Sequence, residues 1–137
     1  MNRADLQKLS NARIREAKIL FAAGEYSGAY YLAGYAVECA LKACFAKGIR
    51  RHDFPDKNRT GKVFIHKLRE LAQLANVDAD LAVATKFNTK LDGNWLLACN
   101  WTEESRYSTW TQNDAEAMIE AISGKRDGVL PWIKRRW

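Results

Sequence analysis

Residues 26–47 read YSGAYYLAGYAVECALKACFAK, and their reading decides the fold. Between Ala29 and Ala46 every position is apolar, aromatic or small, except Glu38 and Lys42. A helix so apolar on all sides has to be buried on all sides. Two charges at its centre argue against a membrane span, because charge in lipid is costly. Glu38 and Lys42 stand i,i+4 in the favourable order, so they can pair on one narrow polar stripe. The segment therefore reads as the central helix of a helical bundle.

Outward from it, residues 4–23 form an amphipathic helix. Leu6, Leu9, Ala17, Leu20 and Phe21 approximate the 3.6-residue period, with Arg and Lys on the other side. Gly24 ends that helix and Glu25 opens a very short connection, which makes the two helices antiparallel neighbours. Gly28, Ala33, Gly34 and Ala40 leave room for a partner helix to approach closely. Gly48 is placed as a C-terminal cap.

Residues 49–63 show no apolar period, contain Pro55 and Thr60-Gly61, and read as an exposed loop. Residues 65–75 put Ile65, Leu68, Leu71, Ala72 and Ala75 on one face of a third helix. Asp78 can cap a short fourth helix running to about Lys90, with Leu81, Ala84 and Phe87 inward, and Asp92-Gly93 breaks it. Residues 94–112, with Trp95, Trp101, Tyr107 and Trp110, read as an aromatic loop packed on the bundle. Asn113 or Asp114 caps a last helix that Gly124, Gly128 and Pro131 weaken or kink. Nothing alternates as a strand. The expected fold is all-α, an up-and-down bundle of four to five helices in one domain (1–137), with a long basic loop between helices 2 and 3.

The 137 residues are 47% hydrophobic and 28% charged, an ordinary globular composition. The first eighteen residues lack the apolar core of a signal peptide. Cys39 and Cys44 lie about 140° apart around one helix and cannot pair there. With Cys99 they read as buried reduced thiols, so a cytoplasmic location is expected. The formal charge is +6, and residues 47–70 hold eight basic side chains against three acidic ones. Lys125, Arg126, Lys134, Arg135 and Arg136 add more near the end, against Asp127. Localised positive charge is a footprint for polyanions, with a merely solvated face as the plain alternative. Lys47, Arg50, Arg51, Arg59 and Lys62 are the candidate phosphate contacts.

The chain resembles the HEPN family of small helical bundles, found with nucleotidyltransferases and in toxin–antitoxin systems. The residues that carry the likeness are Glu16-Ala17, then Gly24 to Tyr31, Gly34 to Ala43, His66-Lys67-Leu68 and Arg106-Tyr107-Ser108. The resemblance implies a homodimer with a composite groove, RNA or nucleotide as ligand, and a small nucleotidyltransferase as a partner. Catalytic members of the family look like metal-independent ribonucleases with an Arg-x4–6-His motif. Histidine supplies a proton carrier near neutral pH, and arginine neutralises the scissile phosphate. This chain departs from the family, since no histidine follows Arg106. Only Arg59-x6-His66 meets the spacing, and it reads either as a catalytic pair or as a loop arginine and a histidine that packs or binds phosphate.

Two histidines without spaced acidic or cysteine partners make no metal site, and no Gly-rich phosphate loop or other cofactor motif is present. Whether the chain turns over a substrate stays open: an interaction module whose surface docks a partner protein is the third reading. Glu38 must be paired or pay heavily for burial. Lys42 is the local partner and Arg106 a distant one. Arg106 and Tyr107 can otherwise hold a nucleotide phosphate and base.

Overall fold

The structure, a computed structural model, describes residues 1–49, 61 and 64–137, all of them in helices or their connections and none in a strand. The order is α1 (Arg3–Ala22), α2 (Tyr26–Lys47), α3 (Leu68–Leu74), α4 (Asp78–Phe87), α5 (Thr89–Cys99), a 3-10 helix (Glu103–Tyr107), α6 (Gln112–Ser123) and α7 (Val129–Lys134). The protein is all-α. The basic connection after α2, residues 50–60 and 62–63, lies outside the described residues.

A reciprocal cap opens α1: Asn2 accepts from the Asp5 amide, and the Asp5 carboxylate accepts from the Asn2 amide. At its end the Glu25 amide donates to Leu20 O and the Gly24 amide to Phe21 O. That pair of bonds needs a left-handed residue, and Gly24 takes φ +82°. The turn folds α2 back antiparallel along α1. The two approach closely enough for buried Ser10 Oγ to donate to Ala36 O at 2.7 Å.

The rest of the bundle wraps α2. Ala29, Ala33, Ala36, Val37, Ala40, Leu41 and Ala43 have no exposed surface. Their cover comes from α1, α3, α6, α7 and the 3-10 helix, all of which pack on α2. The space over Gly34 is taken not by a helix but by the buried indole of Trp101, which donates to Tyr31 O at 3.0 Å. Trp110 stacks on Tyr30 with ring centres 3.7 Å apart, and its amide donates to Ser27 Oγ. The aromatic segment is thus a strap bonded across α2.

The described residues hold seven α-helices where four to five are expected, and 94–99, read as loop, belong to α5. Four further details differ from the sequence reading. Asp92-Gly93 breaks nothing: the break is at Asn88, whose side chain caps α5 by accepting from the Leu91 amide. Leu91, Trp95 and Ala98 bury one face of α5, which outweighs a mid-helix glycine at about 1 kcal/mol. Phe87 points outward, 82% exposed. Thr111, rather than Asn113 or Asp114, caps α6 in a reciprocal box with Asp114. The last helix is broken, not kinked, because a turn through 124–128 separates α6 from α7. Pro131 then sits in the first turn of α7, where its missing N–H costs little.

Burial pushes the thiols of Cys39, Cys44 and Cys99 up to about 11. At pH 8 each is about 0.1% thiolate, so iodoacetamide should label the native protein at least tenfold more slowly than the urea-unfolded chain. Unfolded thiols ionise first as pH rises, so stability should fall between about pH 9 and 11. Equal labelling rates in the two states would contradict this burial. Gly34→Ala sets a methyl against the Trp101 ring and should cost about 2–3 kcal/mol in urea unfolding.

Candidate functional site

Tyr31, Tyr35, Glu38 and Lys42 follow one another at helical spacing along one face of α2. Glu38 is 2% exposed, so its carboxylate needs partners. Lys42 Nζ donates to Oε1 at 2.7 Å, as the i,i+4 spacing predicts. The second donor comes from far along the chain. His66 Nδ1 lies 3.1 Å from both Oε1 and Oε2. Among the described residues no buried side-chain polar atom is left without a partner.

His66 reaches Glu38 because the extended residues 65–67 lead into α3, whose Leu68 and Leu71 are buried against the core. Next to a carboxylate, Nδ1 is the nitrogen that carries the proton. Nε2 is then left as the acceptor of a neutral ring or a second donor of a charged one. The side chain as a whole is 42% exposed. Glu38 and Lys42 line a groove of about 410 Å³ between α1 and α2, with apolar walls from Leu6, Leu9, Phe45 and Phe64. Tyr35 also borders it; burial first, then Cys39 and Glu38, raise its pKa, while Arg13 opposes them.

Arg106 does not meet Glu38. Its guanidinium lies 5.0 Å from the centre of the Tyr107 ring, and Tyr107 first, then Tyr31, hold its pKa above the usual value. Tyr107 is 75% exposed. Tyr31 in turn lies parallel to Tyr35, ring centres 6.1 Å apart. Arg106 and Tyr107 therefore continue the face of α2 that holds Tyr31, Tyr35, Glu38 and Lys42. Lys47 is elsewhere: its Nζ donates to Arg136 O at 3.2 Å, beside the C-terminal turn. Arg50, Arg51, Arg59 and Lys62 lie outside the described residues, so the Arg59–His66 spacing has only its histidine placed.

Sequence reasoning found Glu38 and Lys42 but missed His66 as their partner. The available signal was arithmetic: a buried carboxylate has two oxygens, and Lys42 satisfies one. Among the described residues no group of three His, Cys, Asp or Glu side chains could hold a metal ion, and no helix is long and apolar enough to cross a membrane. What the cluster can do is bind an anion or move a proton at His66 Nε2.

Lys42→Met strands a buried carboxylate with a single donor and should cost about 3 kcal/mol in urea unfolding. Glu38→Leu/Lys42→Met together should recover most of that loss; additive losses would rule out a coupled pair. Set against protein-family models, curated proteins and solved structures, the chain matches none.

Proposed function

We propose that this protein is a HEPN-type helical-bundle domain that binds RNA or a nucleotide through the α2 face around His66 and the basic segment beside it. The observation that carries the reading is a partly exposed His66 held by buried Glu38. A phosphate there would meet the imidazole as a hydrogen-bond partner, with Lys42 close by. Arg106 and Tyr107, further along the same face, offer a guanidinium and an exposed ring for a second phosphate and a base. The long basic connection between α2 and α3 contributes Arg50, Arg51, Arg59 and Lys62 to the proposal, and Lys47 precedes it.

The same reading makes the protein a cytoplasmic homodimer and one component of a toxin–antitoxin or nucleotidyltransferase pair. Tyr31, Leu32 and Tyr35 are only partly covered by their own chain, which leaves an aromatic face for a second copy to extend into a shared groove.

A metal-independent ribonuclease is the second reading, favoured by the Glu38–His66 geometry. Glu38 fixes the ring, and Nε2 takes the 2′-hydroxyl proton as that oxygen attacks the adjacent phosphorus and the 5′-oxygen departs, taking a proton from water. Arg59 would face the phosphate.

Phosphate contacts from Arg50, Arg51, Arg59, Lys62 and Arg106 imply a salt slope near −3.5 for a single strand, about a hundredfold loss of affinity between 50 and 200 mM salt. Fluorescence anisotropy with a labelled single-stranded RNA should show that loss, and Arg50→Ala/Arg51→Ala should flatten the slope by about 1.4. No binding at low salt, or binding indifferent to the double variant, ends this reading. The same mixtures on a denaturing gel test turnover: cutting that persists in His66→Ala removes His66 from the chemistry.

A further inference from the structure

A second surface lies on another side of α1. At about 100° per residue, Lys8, Arg15 and Lys18 fall within roughly 80° of its circumference, along about 15 Å of helix. All three are exposed, and Arg15 and Lys18 border one shallow groove. Leu6 and Leu9, which line the groove beside Glu38 and Lys42, stand on a different side of the helix.

The fold then brings more cations to this ridge. Lys134 Nζ, from α7, donates to Asn11 Oδ1 at 2.6 Å. Its pKa is pushed down, by burial first and then by Lys18, so the two ammonium groups feel each other. Arg135 follows it, exposed. Trp137, half-buried, has Lys134 Nζ 5.4 Å from its ring centre. The acids of α1 are engaged elsewhere: Asp5 in the N-terminal cap and Glu16 with Arg13. Among the described residues no carboxylate comes within ion-pair distance of Lys8, Arg15, Lys18, Lys134 or Arg135, although Arg136 meets Asp80 at 3.7 Å. Gathering like charges costs stability, and a polyanion laid across them relieves that cost while releasing its own counterions.

We propose that this ridge is a second nucleic-acid-binding surface, separate from the His66 site, which takes the phosphodiester backbone of a single strand on Lys8, Arg15, Lys18, Lys134 and Arg135, with Trp137 as a stacking platform for a base. Cations interleaved with an aromatic ring are the equipment for sequence-tolerant single-strand binding.

The test is anisotropy of a fluorescein-labelled single-stranded RNA over a salt series, with Lys8→Gln/Arg15→Gln/Lys18→Gln. These side chains are exposed, and unchanged circular dichroism and melting verify the fold. Loss of three contacts should flatten the slope of log K against log salt by about 2. Lys8→Arg/Lys18→Arg, which keeps the charge, should bind as the parent does. A triple variant with the parent's slope overturns the proposal. So does one that binds RNA normally but no longer binds phosphatidylserine vesicles, which would make the ridge a lipid-facing surface. Comparison with Arg50→Ala/Arg51→Ala separates the two sites. If only that variant moves the slope, the ridge fails and the His66 reading stands; if only the triple variant does, the reverse holds.

Discussion

A carboxylate at the centre of an apolar helix is the constraint on which the rest depends. Glu38 sits among residues with no exposed surface, in a helix that its own chain covers on nearly every side. Left without donors it would cost several kcal/mol. Lys42 satisfies one oxygen from within α2, and the remaining capacity has to be met by another segment. His66 meets it, which ties the approach to α3 to one place on α2. The contact is then more than ballast for the fold, since it also fixes which imidazole nitrogen a ligand would meet.

A second close fit fixes the other end of α2. Gly34 has no side chain, and the Trp101 indole occupies the space. The indole N–H donates to Tyr31 O, and four residues further along the helix Tyr35 lies parallel to the Tyr31 ring. Trp110, stacked on Tyr30, closes the strap, and Arg106 and Tyr107 are carried between the two tryptophans. Their position on the α2 face is therefore a consequence of core packing, with the exposed groups presented by buried anchors on either side.

The all-α fold, the antiparallel first pair and the Glu38–Lys42 bridge were legible because each rests on local periodicity or on an i,i+4 spacing. The helix through Gly93 was not. Its stability comes from Leu91, Trp95 and Ala98 packing on the core, and a local breaker signal carries no knowledge of that burial. The outward position of Phe87 was hidden for the same reason, as three apolar residues at helical spacing do not say how far along a short helix the cover extends. Asn76 shows a subtler case. It ends α3 in the left-handed conformation with φ +56°, where the Val77 amide donates to Ala72 O, a role usually given to glycine. The His66 contact spans 28 residues, beyond any spacing rule.

The sorting of charge along α1 was hidden for a related reason. Residues 1–46 hold six basic side chains against four acidic ones, a balance that looks unremarkable when counted along the chain. Folding sorts that balance by direction. Asp5, Glu16 and Glu38 are each taken up by a cap or a partner, Arg13 and Lys42 go with them, and Glu25 lies in the turn beyond α1. Lys8, Arg15 and Lys18 are left together on one face, and the C-terminal turn adds Lys134 to them. That turn is itself held by hydrogen bonds to main-chain oxygens, from Arg3 to Trp137 and from Lys47 to Arg136. Those two cations serve as tethers, and they anchor the segment that carries the others. What a linear count averages away, a helix separates: acids spent on local bonds leave bases that meet no carboxylate among the described residues, and a polyanion can take that place at a gain in entropy.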